Sequence, residues 1–240
     1  SMQPGDDEVR MLSVSAILAR LRTGEEIEER LIEVLEALID RPRQRVELLA
    51  LQIRSGIKEK DSVSATASLL ALSQLVASDS LLDATDLELE DNPTLQSSLD
   101  SWITARAKEL MAFASGDELQ DIQAMVAGRV DFLLTGSDQL LLTSLKHLEP
   151  LGGVSELRNE LAQRMLERED AVGLERLAWQ GVLPNQEALN EMSISRLQML
   201  AAAYSMGRMP KDELQILSLL KKRIEEESTS QDDSWGNAGE

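Results

Sequence analysis

The chain has 240 residues, a formal net charge of -19, no cysteine, one histidine, three tryptophans, one tyrosine and two phenylalanines. That composition removes thiol chemistry and leaves a single imidazole, His147, for proton transfer. It also argues against direct contact with a nucleic-acid backbone, whose binding rests on cationic side chains that displace counterions. A chain of this length buries a full core without crosslinks. The absence of disulfides favours a soluble intracellular compartment, cytoplasm or organelle interior.

Ser1-Met2 reads as a cleavage scar ahead of the natural chain, so a missing leader peptide carries no weight. The first predicted helix runs from Asp6 to about Arg22. Ile27, Leu31, Val34, Leu35 and Leu38 then recur on one apolar stripe, with Glu28, Glu29, Glu33 and Glu36 on other faces. Thr23 and Glu26 form a capping box, and Pro42 disfavours helical geometry at Arg41, which bounds the second helix at about 24 to 40. A third helix extends from Pro42 to Arg54 and is closed by Gly56. A fourth spans about Asp61 to Ala77. Ser62 to Ser78 is the longest uncharged stretch, but Thr66, Gln74 and several serines mark it as a buried helix of a soluble protein rather than a membrane span.

After an acidic segment, Thr94 is placed to cap a helix ending at Gly116, and Asp117 to begin one ending near Gly136. Ser137 to Leu148 forms the next, stopped by Pro150, Gly152 and Gly153. Ser155 caps a helix through Arg168, and another holds Leu174, Leu177 and Ala178 before Gly181 and Pro184. Asn185 and Ser193 are the following caps. The last helix begins at Pro210, carries Leu214, Leu217, Leu220 and Ile224 on one stripe, and gives way at Glu225 to a frayed acidic tail.

No alternating run of β-branched and aromatic residues lies between turn pairs. The expected fold is therefore all-α, with about ten short helices in a multi-helix bundle or in stacked, solenoid-like hairpins. No fixed repeat selects the stack: Asp117-Glu118-Leu119-Gln120 recurs as Asp212-Glu213-Leu214-Gln215, but the flanks diverge. Composition divides the chain into a helical region over 1–78, an acidic connector over 79–93, a second helical region over 94–224 and a disordered tail over 225–240. One continuous domain over 6–224 is the alternative, and the turn at Pro150 to Gly153 is a second, weaker boundary.

Residues 61 to 105 contain no lysine, arginine or histidine, and acidic side chains cluster inside that interval. The expected partner-binding residues are Leu81, Leu82, Asp83, Asp86, Leu87, Glu88, Leu89 and Glu90. Carboxylates steer an encounter with a positive surface, and leucines supply apolar area once it is made. This favours a non-enzymatic helical interaction module, a scaffold, assembly factor or regulatory adaptor, whose partner is another protein with a basic or apolar groove. No cofactor, catalytic residue or metal ligand is assigned. The bland alternative is a solvated connector between helices.

Other constellations are weaker. Residues 79 to 92 contain no glycine, so they do not fit a calcium loop. Glu26/Glu29 and Glu33/Glu36, joined with Glu88/Asp91, Glu118/Asp121 or Glu167/Asp170, would suit a magnesium-dependent helical hydrolase, but solvated faces and helix-end charge explain them. An acidic mimic of nucleic acid is a third reading. His147, beside Lys146 and Glu149 at a helix end, reads as structural. Gly152-Gly153 leads into Val154, Ser155 and Glu156, which place a carboxylate where a phosphate would sit. Met192, Met199 and Met206, with Met209 behind them, read as core filling because Arg196 interrupts the seam. Arg41, Arg43, Arg45 and Lys221, Lys222, Arg223 sit at helix boundaries without interleaved aromatics.

Overall fold

A computed structural model of the chain describes residues 4–23, 29–79, 82, 86–89 and 92–236. The fold is all-α: the described residues form twelve α-helices, one short 3-10 turn and a single two-stranded hairpin. Two compact units divide the chain, residues 1–157 and 158–240. The division lies just beyond the Pro150 to Gly153 turn, and the acidic segment lies within the first unit.

In the first unit, α1 (Pro4–Arg22), α2 (Glu29–Leu38) and α3 (Pro42–Glu59) bury Val14, Leu18, Leu35, Ile39 and Leu48 against one another. The capping box proposed at Thr23 and Glu26 extends outside the described residues. α3 starts with proline in its first turn, where a missing N–H costs nothing. It does not stop at Gly56. It continues to Glu59 and ends on Lys60 in the left-handed conformation, φ 58°. Gly56 serves a different purpose, because a β-carbon there would lie 3.0 Å from both Cβ and N of Ala65 on the next helix. The glycine permits a close helix crossing.

That next helix, α4 (Ser62–Ser78), is capped by Asp61, whose carboxylate accepts from Ser64 N at 3.0 Å and Ser64 Oγ at 2.6 Å. It packs against α3 and against three later helices, α5 (Leu99–Phe113), α6 (Asp117–Leu134) and α7 (Asp138–Leu148). Such encirclement explains its lack of charge: Ala65, Thr66, Leu69 and Leu72 are wholly buried. The Thr66 hydroxyl is satisfied by donating to Ser62 O at 2.6 Å. Among the described residues, no helix is long and apolar enough to cross a membrane.

Between α4 and α5 the sequence predicts an irregular connector, whereas the structure forms an antiparallel hairpin of β1 (Asp86–Leu89) and β2 (Asn92–Ser98). Asp86 stands opposite Ser98, Leu87 opposite Ser97 and Glu88 opposite Gln96, with the register shifting between Glu88 and Leu89. Thr94 therefore lies in a strand. The cap of α5 is Ser98, whose Oγ accepts from Ser101 N at 3.4 Å. α6 follows Gly116 at φ 52°, and Ser137, where the sequence starts the next helix, caps α7. The 3-10 turn at Glu149–Leu151 then closes at Gly152, φ 79°.

α8 (Ser155–Glu167) carries the chain from the first unit into the second, which continues with α9 (Ala171–Ala178), α10 (Gln186–Glu191), α11 (Ile194–Met206) and α12 (Pro210–Gly236). Asp170, Asn185 and Ser193 cap α9, α10 and α11. α11 packs on α9 and α12, burying Leu174, Leu177, Leu197, Leu200, Ala203 and Ile216. Met192 and Met199 are buried core filling.

α12 departs from its sequence reading twice. Its helical backbone runs past Glu225 to Gly236, with Lys221 to Glu225 and Lys222 to Glu226 paired at i, i+4. Its expected apolar stripe is not the packing face either. Ile216 is buried at 2 % exposure, whereas Leu214, Leu217 and Ile224 are 68 %, 43 % and 48 % exposed.

Candidate functional site

Asp86, Leu87, Glu88 and Leu89 of the expected binding segment lie on β1. Leu82, expected as a surface contact, is only 3 % exposed and belongs to the core, so it anchors the segment instead. Leu81, Asp83 and Glu90 lie outside the described residues. β2 runs without a break into α5, and Ser98 is at once the residue opposite Asp86 and the cap of that helix.

In the first turn of α5 the structure assembles a polar line that the sequence conceals. Asp100 Oδ1 lies 2.9 Å from His147 Nε2, and His147 Nδ1 lies 3.0 Å from Ser73 Oγ. Lys146 donates to Asp100 Oδ2. Ser73 comes from α4, Asp100 from α5, and Lys146 and His147 from the end of α7, so one line joins three helices. His147 is fully buried and Ser73 is 1 % exposed. With neutral imidazole, Nε2–H donates to the carboxylate and the Ser73 hydroxyl donates to Nδ1, which satisfies every member.

The hydrogen bond from His147, followed by that from Lys146, holds the Asp100 carboxyl well below the usual carboxylate range, against the opposing effect of partial burial. Its place in the first turn of α5 also favours its negative charge. Trp102, just beyond it, is 2 % exposed, with the Arg54 and Arg106 guanidinium carbons 5.6 Å and 5.7 Å from its ring centre.

Serine, histidine and aspartate are also the residue types of acyl transfer, and here Ser73 and His147 are buried between helices. Catalysis by such a group requires a reachable hydroxyl and donors aimed at a developing oxyanion. Ser73 lies within α4, where the backbone N–H groups are bonded along the helix. The adjoining cavity, lined by Leu70, Ser73, Arg129, Phe132, Ser144 and Leu148, holds about 10 Å³, the space of one water rather than a substrate.

Four of the carboxylates considered for magnesium, Glu36, Glu118, Glu167 and Asp170, serve separate local roles. Glu36 accepts from Gln52 at 3.1 Å, Glu118 from Ser115 N at 3.1 Å and Glu167 from Gln163 at 3.1 Å. Asp170 caps α9 through Gly173 N at 2.8 Å. Among the described residues, no three His, Asp or Glu side chains converge in a metal-binding arrangement. Gly153, φ 70°, faces the backbone of Gln123 and the side chain of Val126, as a turn packed against α6.

Comparison with known proteins returns no matching family model, no matching curated protein and no matching solved structure. Function therefore rests on the chain's own geometry.

Proposed function

We propose that the chain is a non-enzymatic helical interaction module that takes a partner protein with a basic groove through its acidic hairpin. The observation that carries this reading is that Asp86–Leu89 is a paired strand whose mate continues directly into α5, so its acidic residues sit on a frame rooted in the helical core. A frame of this kind lowers the ordering cost of binding relative to a loose connector. The cation-free interval from 61 to 105 leaves the hairpin's charge uncompensated within its own stretch of chain. Negative potential steers the encounter, and leucines of the segment add apolar area after contact. A scaffold, assembly factor or regulatory adaptor would work in this way.

The test begins with crosslinking and affinity purification of the full chain to obtain a stoichiometric partner. Association is then measured for the native chain and for the variant carrying Asp86→Lys and Glu88→Lys. The expected result is an association rate lower by about tenfold and a weaker dependence on salt. Unchanged rate and unchanged salt dependence would remove the hairpin from the interface.

A further inference from the structure

We propose that α12 joins two copies of this chain as an antiparallel helix pair, with Leu217 on the twofold axis. The first observation is the mismatch on this helix between apolarity and burial. Ile216 is buried in the unit that contains α11, yet Leu214, Leu217 and Ile224 remain 68 %, 43 % and 48 % exposed. At 100° per residue these three share one flank, together with Lys221, and Glu213 and Leu220 border it on the side that packs within the unit. An exposed apolar stripe flanked by opposite charges is the pattern of a helix-pairing seam.

The charge order selects both the occupant and the direction. Centred on Leu217, an antiparallel pair sets Leu217 against itself and Leu214 against the second copy's Leu220. Glu213 then meets the second copy's Lys221, and the twofold repeats that ion pair on the other side. A parallel pair would set Glu213 against Glu213 and Lys221 against Lys221, which like-charge repulsion disfavours. Among the described residues, Lys221 pairs with Glu225 at 3.8 Å with both side chains exposed, an arrangement that holds it weakly.

Sedimentation of the full chain across a concentration series tests the pairing, with circular dichroism to show that each variant is folded. The native chain is expected to dimerise. Leu217→Asp is expected to weaken the dimer by at least about tenfold, as are Glu213→Lys and Lys221→Glu singly, while the two charge reversals together restore it. Because the chain has no cysteine, oxidative crosslinking reads the direction. Leu217→Cys should link to itself, whereas Leu214→Cys should not, because antiparallel pairing separates the two copies of that position by about 9 Å along the axis. A monomer at all concentrations, a dimer indifferent to these residues, equal crosslinking at both positions, or capture of a different protein by α12 while the chain stays monomeric would overturn the proposal.

Discussion

Asp100 and His147 are 47 residues apart in sequence and 2.9 Å apart in space, Oδ1 to Nε2. The imidazole's other nitrogen faces Ser73, so α4, α5 and α7 meet at one buried ring. A polar line of this kind stabilises only when every member is satisfied, and removing one member strands another.

Ser73→Ala is therefore expected to cost about 1–3 kcal/mol by leaving His147 Nδ1 buried without its hydroxyl. Ser73→Ala combined with His147→Leu should cost less than the sum of the two single changes, because the stranded nitrogen disappears. Urea unfolding of the four proteins measures the coupling, and strict additivity would show that the two side chains do not act as a unit.

Acid should weaken the fold through the same carboxylate. Asp100 titrates lower in the folded chain than in the unfolded one, so its contribution is complete above the unfolded value of about 4 and is lost as pH falls toward the lower folded value. Asp61, held low mainly by its hydrogen bonds from Ser64, acts in the same direction. Asp100→Asn should be less stable than the native chain at pH 7 and should show a shallower loss between about pH 5 and 3. Unfolding free energies across that range give the comparison.

The crossing of α3 and α4 sets a steric limit that helix propensity alone does not reveal. Gly56→Ala improves the intrinsic helix preference but drives a methyl group to 3.0 Å from Ala65, and a net loss of about 1–3 kcal/mol is expected. Gly128→Ala on α6 meets nothing within 4 Å and should gain about 0.5–1 kcal/mol. Thermal melts of the two variants should move in opposite directions.

Asp61→Ala removes the cap of α4 and should destabilise by about 0.5–2 kcal/mol. Asp61→Asn should recover most of that loss, because the amide oxygen still accepts from Ser64 N. Equal melting temperatures for the alanine variant and the native chain would contradict the cap.

These positions also show which parts of the fold were legible in the sequence. Asp61, Ser137, Asn185 and Ser193 announce helix starts because capping is a contact over three residues, and each is observed as a cap. Gly56 is misleading because its role depends on Ala65 of another helix. The hairpin is hidden because Asp86, Glu88, Asn92 and Pro93 are residue types depleted in strands, so its pairing has no local signature. Leu82 carries no mark separating a buried leucine from an exposed one. His147 stands out by its rarity, but Ser73 and Asp100 lie 74 and 47 residues away, and only the tertiary fold brings them to it. On α12, apolar residues surround so much of the circumference that a period of 3.6 fits two faces, and the structure buries Ile216 rather than Leu217.

Ser98 belongs to two elements at once, ending β2 opposite Asp86 and capping the helix that bears Trp102. Whatever tugs on the acidic strand thus has a short mechanical route to an indole enclosed by the protein and set near two guanidinium groups. Under the proposed function, a partner taken up by the hairpin is expected to shift the chain's tryptophan emission, and replacing Trp179 and Trp235 would isolate the contribution of Trp102.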